Sequence, residues 1–418
     1  MKSVRRFGAL VLAALGAAGC DGGESAVADA RMRVSDVLGG ADTAGYARAL
    51  EPRPFTFPRD HGPHPAFRTE WWYLTGNLAG EEGRRFGYQL TIFRVALAPP
   101  SGGSGASRRG DGPAVDGAGS GGGGSVGPRS AWATRQAYMG HFAVTDADGE
   151  RFLAEERFAR GALGLAGAGL DPLRVWIEDW TIEGRAGDGF AARARGDGFA
   201  VELELERGKA PVLNGERGLS PKGPEPGNAS YYYSLTRMPT RGTVTVDGRT
   251  IVVRGLSWLD REWSTSALGP ELEGWDWLAL QLEGDRELMV YRLRRPDGSA
   301  APLSGGTWVA PDGSSRALGV DDVLMEPVDW WRSPGGDAEY PVAWRLRVPA
   351  LELTLDVRPL LDGQEWTGAF RYWEGAVAAA GAGPGGEAVR GRGYLELTGY
   401  AGSAPPGGTA GIVRGEGR

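Results

Sequence analysis

Two stretches of the chain bring acids, imidazoles and indoles together closely enough to do chemistry. The first runs Phe57-Pro58-Arg59-Asp60-His61-Gly62-Pro63-His64-Pro65 and leads into Arg68-Thr69-Glu70-Trp71-Trp72-Tyr73-Leu74. It holds two of the 3 histidines, and with the third, His141, it suggests a three-imidazole metal site beside Asp60 or Glu70. The flanking Pro and Gly place His61 and His64 on an irregular loop, where two imidazoles need not converge. Hydrogen-bonded loop histidines are therefore the preferred reading, and no metal or other cofactor is expected. The second stretch is Gly255-Leu256-Ser257-Trp258-Leu259-Asp260-Arg261-Glu262-Trp263, followed by Gly274-Trp275-Asp276-Trp277. Acids set among indoles are costly to bury unless each finds a donor, which Arg261, indole N–H groups and backbone amides can supply. A carboxyl walled by indole loses hydration, its pKa rises, and it can hold a proton near neutral pH. The competing reading is a structural ion pair that closes a barrel end. No nucleophile elbow and no catalytic cysteine supports covalent hydrolysis.

The elements that must carry these residues read as strands. Phe86–Arg94, Phe199–Leu205, Leu288–Leu293 and Leu351–Val357 alternate with period two, and Asp148-Gly149, Asp247-Gly248, Asp297-Gly298 and Asp312-Gly313 supply tight turns. Short strands at regular spacing make an all-β sandwich or barrel. Residues 99–130, built of Gly, Ser, Pro and Asp, cannot bury a core and read as a disordered excursion between two strands, as does the tail 401–418. An internal echo appears when Glu70-Trp71-Trp72 is laid over Glu262-Trp263: each pair precedes a strand, a Gly-acid turn and a strand ending in Phe93-Arg94 or Tyr291-Arg292. Two related β domains explain it, with a boundary between Asp247 and Ser257 that divides the chain into 51–250 and 251–400.

The chain has 418 residues, 41% of them hydrophobic, enough for at least one full core and suggestive of two domains. A net charge of -7 argues against nucleic acid as a partner. Fifteen Trp against 12 Phe and 12 Tyr suit an aromatic pocket wall, since indole brings an apolar face and one donor. The only lysines are Lys2, Lys209 and Lys222, which with 70 Gly reads as a GC-rich coding bias. Lys2, Arg5 and Arg6 precede an apolar run that ends in small residues at Cys20, the layout of a secretory signal peptide over 1–19. Ala17-Ala18-Gly19-Cys20 resembles a lipobox, with an ordinary signal peptide cut near Ala18 as the alternative. Cys20 is the sole cysteine and so has no disulfide partner. Lipidation there, with 20–50 as a tether, makes the protein a membrane-anchored lipoprotein on the periplasmic side of the cell envelope.

Several motifs together carry a family resemblance: Phe57–His64, Glu70–Leu78, Gly274-Trp275-Asp276-Trp277, Tyr372-Trp373-Glu374-Gly375 and Gly393–Tyr400. They resemble the AttH group of the CrtC lipocalin-like family, also described as predicted secreted hydrolases, from about Phe55 to Tyr400. The resemblance implies two consecutive lipocalin-like antiparallel β-barrels with a ligand cleft at or between them. It also implies a choice of activities. CrtC proteins are carotenoid 1,2-hydratases, which protonate a terminal isoprenoid double bond and add water to the cation; fungal relatives include cyclases, and AttH proteins occur beside transporter components. Mapped here, Asp260, Glu262, Asp276 or His61 would supply the proton, and Trp263, Trp275, Trp277 and Tyr291 would stabilise the cation. Glu70, Trp71, Trp72 and His141 complete the expected ligand site. Relatives carry His in an Asp-His-Glu-Trp motif where this chain has Arg261, and a guanidinium cannot replace a titrating donor. The reading that results is a membrane-anchored protein binding a long apolar, isoprenoid or lipid-like ligand in a Trp-rich cleft, with acid-catalysed hydration or hydrolysis as its chemistry. Its alternatives are a non-catalytic carrier serving an envelope transporter, and a purely structural use of the Trp-acid motifs.

Overall fold

The computed structural model describes residues 43–100, 134–265, 268, 269, 271–336 and 338–401, all within one compact unit. The expected signal peptide, Cys20, most of the tether, residues 101–130 of the insert and the tail from 402 lie outside the described residues.

Every element described is a strand or a 3-10 turn. The first sheet contains β1 (Thr69–Ala79), β2 (Arg85–Ala96), β3 (Gln136–Asp146), β4 (Arg151–Arg160), β5 (Ala166–Leu170), β6 (Leu173–Ile177), β7 (Trp180–Arg185), β8 (Gly189–Gly196) and β9 (Phe199–Leu205). The short β10 (Val212–Leu213) and β11 (Leu219–Pro221) and the long β12 (Ala229–Val246) and β13 (Arg249–Ser264) complete it. Its order is β4-β3-β2-β1-β13-β12-β9-β8-β7-β6-β5, with β10 and β11 beside β12. The second sheet contains β14 (Gly274–Leu282), β15 (Arg286–Arg294), β16 (Gly305–Val309), β17 (Ser315–Gly319), β18 (Leu324–Arg332), β19 (Glu339–Val348), β20 (Leu353–Pro359), β21 (Glu365–Thr367), β22 (Arg371–Ala382) and β23 (Ala388–Leu397). Its order is β17-β16-β15-β14-β23-β22-β20-β19-β18, with β21 beside β22. Both sheets are antiparallel, one barrel-like and the other a half-barrel, as two lipocalin-like domains require.

Local sequence accounts for the elements. The alternating runs become β2, β9 and β15, while the run from Leu351 starts as a strand only at Leu353, because Pro349–Leu351 forms a 3-10 turn ended by Glu352 in the left-handed region. Asp247 and Gly248 both have positive φ, 51° and 74°, the requirement of the type I′ turn that joins β12 to β13 without splaying them. Trp72, Leu90, Ile92, Phe142, Trp180 and Trp263 fill the first curl, and Leu278, Leu280, Trp344, Leu355, Trp373 and Leu395 the second. Between the sheets lies a third layer of Tyr73, Tyr232, Trp258, Trp277, Ala279, Met289, Ala376 and Tyr394. The sheets approach closely at Gly87, where a Cβ would stand 2.4 Å from that of Ala376. Polar side chains also cross the layer: Asn77 donates to the Gly393 carbonyl at 3.0 Å, and Gln281 to those of Thr236 and Ser257 at 2.8 and 3.0 Å.

Two expectations are corrected by the strand register. The change of sheet does not fall between Asp247 and Ser257, since β13 pairs with both β1 and β12 as far as Ser264 and the second sheet starts at Gly274. Glu70-Trp71 and Glu262-Trp263 are not equivalent positions of two domains but neighbours on one ladder, Glu70 opposite Trp263 and Trp71 opposite Glu262. The counterpart of Glu70 is Asp276. Glu70 lies opposite Arg94 and Asp276 opposite Arg292, and each acid is ion-paired to that arginine inside its own sheet. Arg261 gives Glu70 a second cation at 3.1 Å. Burial would raise the Glu70 pKa, but Arg94, His64 and Arg261 outweigh it and hold the carboxyl at about 2. Glu70→Gln should cost roughly 3–5 kcal/mol by leaving buried guanidinium charge uncompensated. The contribution is complete above the ordinary value of 4.5 and fades as pH falls towards about 2, so chemical denaturation near neutrality and near about pH 3 should show a gap that narrows in acid.

Candidate active site

The central strands are buried on both faces, and alternation sends every second residue out of the barrel interior into the layer between the sheets. From the first sheet that face carries Thr69, Trp71 and Tyr73 of β1, Gln89 and Phe93 of β2, His141 of β3, Tyr232 of β12, and Asp260, Glu262 and Ser264 of β13. From the second it carries Trp275 and Trp277, Tyr291 and Leu293, Tyr372 and Glu374, and Glu396. With Lys222 and Leu268 these residues line a cavity of about 140 Å³. A cavity of roughly 150 Å³ takes a benzene-sized guest, so the space suits one end of a larger apolar molecule.

The wall holds four carboxyls and, among the described residues, a single cation, the Lys222 ammonium. Asp260 accepts from the Tyr232 and Ser234 hydroxyls, each at 2.5 Å, and from the Trp258 indole at 2.6 Å. Burial dominates over these donors, Glu262 adds repulsion, and the Asp260 carboxyl is pushed up to about 7. Near neutral pH it is therefore about half protonated. Glu262 is ion-paired to Lys222 at 3.0 Å. Burial works against the Lys222 charge, but the Glu262 carboxylate prevails and raises its pKa, so the ammonium is a fixed cation. Burial and the nearby Asp260 and Glu262 push Glu396 up to about 7 against the Trp275 indole, and burial together with Glu396 lifts Glu374 well above the carboxylate range. His141 joins the Tyr372 hydroxyl through Nδ1 at 2.6 Å and Glu156 through Nε2 at 3.0 Å; burial lowers its pKa although Glu156 opposes this.

Of the residues expected from sequence, the cavity brings together Asp260, Glu262, Trp71, His141, Trp275, Trp277 and Tyr291. Asp276, His61, Glu70, Trp72 and Trp263 are not on its wall, for one shared reason: their strand parity or loop position turns them into a barrel interior. Asp276 accepts from Arg292 at 2.7 Å and from the Tyr400 hydroxyl at 2.8 Å inside the second sheet. His61 is buried against Tyr233, its Nδ1 2.6 Å from the hydroxyl, and burial with the Arg261 charge lowers it to about 4. His64 stacks on Trp263 with centroids 3.7 Å apart and lies between Asp60 and Glu70. The three imidazoles thus have separate partners, and no cluster suited to a metal occurs among the described residues. Sequence reasoning missed Tyr73, Lys222, Tyr232, Tyr372, Glu374 and Glu396. Glu374 and Glu396 lay in motifs already singled out, and Lys222 is one of three lysines in an arginine-rich chain.

A family model, AttH-like, matches residues 48–400. The chain belongs to the AttH-like family. An AttH protein of Nitrosomonas europaea, solved by crystallography, is 31% identical with a TM-score of 0.71, covering 85% of this chain and 100% of that one. Kievitone hydratase of Nectria haematococca is 13% identical with a TM-score of 0.60 over 86% of this chain and 99% of that one, a likeness of fold. No curated protein matches the chain. Within this AttH-like chain Arg261 has a structural role. Its guanidinium lies 3.9 Å from the centroid of Trp72 and donates to the carbonyls of Trp71 and Gly62 at 2.5 and 2.7 Å. Position 261 therefore faces the barrel interior, one residue out of phase with Asp260 and Glu262 on the cavity wall.

The raised carboxyls make stability depend on pH in a defined direction. Asp260 ionises at about 7 in the fold and at the ordinary 3.8 in the open chain, so between these limits the folded state keeps a proton that the unfolded chain releases. Raising the pH across that window costs stability. Asp260→Asn should be more stable than the parent above about pH 7, on the order of a few kcal/mol, with the difference vanishing near about pH 4. Denaturation midpoints measured across the window would show it; a pH-independent difference would contradict the assignment.

Proposed function

We propose that this AttH-like protein protonates a terminal carbon–carbon double bond of an apolar, isoprenoid-like ligand and adds water to the cation. The observation that carries the reading is Asp260, a carboxyl held near half-protonation at neutral pH inside an aromatic cavity. As its proton passes to one alkene carbon, the π bond breaks, a C–H bond forms and positive charge is left on the more substituted carbon. The faces of Trp71, Trp275, Trp277 and Tyr291 suit that charge, each worth about 0.5–2 kcal/mol when desolvated. Water then forms the C–O bond and loses one proton to a carboxylate of the wall, so that alkene and water become a tertiary alcohol. No redox partner is needed. The small cavity supports entry of one ligand end only, which favours a long chain whose remainder stays outside. A lipid anchor at Cys20 would hold the site beside a membrane, where such ligands are concentrated.

The test is incubation with an acyclic isoprenoid bearing a dimethyl-substituted terminal alkene in heavy-oxygen water. The expected product is a labelled tertiary alcohol, formed more slowly as pH rises through about 7, with Asp260→Asn reducing the rate by about 100-fold or more. Recovery of bound but unchanged ligand would establish a carrier instead. For the anchor, Cys20→Ser should move the protein from the membrane to the soluble fraction on cell fractionation; retention in the membrane would exclude lipidation as its cause.

A further inference from the structure

Strands β22 and β23 place Glu374 and Glu396 directly opposite each other, both on the cavity wall. Direct cross-strand partners have Cβ atoms about 4.5–5.5 Å apart, too close for two poorly hydrated carboxylates to ionise independently. Such a pair settles with one proton between two acids. Beside it three polar atoms stand out. The Tyr73 hydroxyl, Gln89 Oε1 and Glu374 Oε1 have no close hydrogen bond, although these side chains are only 6%, 1% and 1% exposed and all line the cavity, with Tyr73 and Gln89 near enough to Glu374 to favour its anion. Buried polar groups are rarely left without a close partner, so a loose cluster of this kind on a cavity wall suits a small guest that bridges its members. Tyr73 can donate, Gln89 Oε1 can accept, and a half-protonated carboxyl pair can do either. Their complement is a group that is donor and acceptor at once, an alcohol or a water.

We propose that Tyr73, Gln89 and the proton-sharing pair Glu374–Glu396 form an oxygen-binding subsite that seats the attacking water and then the hydroxyl of the hydrated ligand. The inference rests on the hydration reading and assigns the half of the reaction that Asp260 does not serve. As the C–O bond forms, an O–H bond of the water breaks and its proton joins the member of the pair that lacks one. Burial and mutual repulsion, which push Glu396 up to about 7 and Glu374 well above the ordinary carboxylate range, make the pair a competent acceptor near neutrality. The subsite also sets specificity, since a ligand end with oxygen on its tertiary carbon satisfies atoms that a hydrocarbon leaves unmade.

The test compares two five- to six-carbon probes of the same shape, 2-methyl-2-butanol and 2,2-dimethylbutane, titrated by ligand-detected NMR against the full chain. The parent is expected to bind both. Tyr73→Phe and Glu374→Gln should each weaken the alcohol by about tenfold, the loss of one buried hydrogen bond, while leaving the hydrocarbon within about twofold. Retained hydrocarbon binding shows that each variant is folded, and the two variants report independently. If the parent binds the hydrocarbon but not the alcohol, or if both variants keep the alcohol at parental affinity, the subsite is wrong and the aromatic cavity stands. If the parent binds neither probe, the cavity is no ligand site and both readings fall.

Discussion

Everything at the centre of this molecule follows from strands that are buried on both faces. An ordinary antiparallel sheet buries one face and wets the other, and its acids go to the wet side. Here β1, β13, β14 and β22 have a barrel interior on one side and the partner sheet on the other, so their acids must be satisfied in either direction. The two directions are satisfied differently. Inward acids meet arginine: Glu70 has Arg94 and Arg261, and Asp276 has Arg292. Outward acids at the cavity meet hydroxyls, indoles and each other, with Lys222 as their one described cation.

That difference in partner separates structural from chemical carboxyls of the same type. An arginine beside a buried acid fixes the ion and removes it from proton transfer, as the depressed Glu70 shows. Neutral donors lower the cost of the anion without cancelling it, so burial still prevails at Asp260 and the proton stays available. Adjacent residues therefore have opposite roles: Trp275 and Trp277 line the cavity, while Asp276 between them is a closed ion pair.

This parity is also why the sequence disclosed the fold more fully than the site. Period-two runs and Asp-Gly turns announced strands such as β9 and the β12–β13 hairpin, since both signals are local. Asp260, Glu262 and the outward indoles were legible because their types are unusual together. Which neighbour of each faced the cavity was not, because a doubly buried strand has apolar and charged residues on both faces and loses the contrast that marks one face as the core. The Glu374–Glu396 pair depends on register across 21 intervening residues, which no local pattern encodes. A boundary between Asp247 and Ser257 follows from taking Glu70-Trp71 and Glu262-Trp263 as an internal repeat, whereas the two pairs are neighbours on one ladder of the first sheet. Lys222 carried a signal that composition hid: where arginine is the default cation, a retained lysine marks a place for a compact ammonium, and here it sits over the faces of Tyr232 and Tyr291 at 5.5 and 5.4 Å.

The location of the cavity has its own cause in side-chain size. Each curl is filled by its interior residues, Trp72 and Trp263 in one and Trp344 and Trp373 in the other, which leaves the layer between the sheets as the place where packing can be incomplete. Along β1 and β22 the residues facing that layer grade from small to large, while Trp258 of β13 and Tyr394 of β23 fill the space near the small end. At one end Gly87 meets Ala376, close enough that even a methyl group would collide. Towards the other end β1 presents Tyr73 and Trp71, β14 presents Trp277 and Trp275, and β22 presents Glu374 and Tyr372. The cavity lies at the end of the layer where Trp71, Trp275 and Trp277 stand, and these side chains form part of its wall. Large rings that meet edge on pack less completely than the largely aliphatic fill of the curls, and the outward acids Asp260, Glu262, Glu374 and Glu396 of the neighbouring strands face the space that remains.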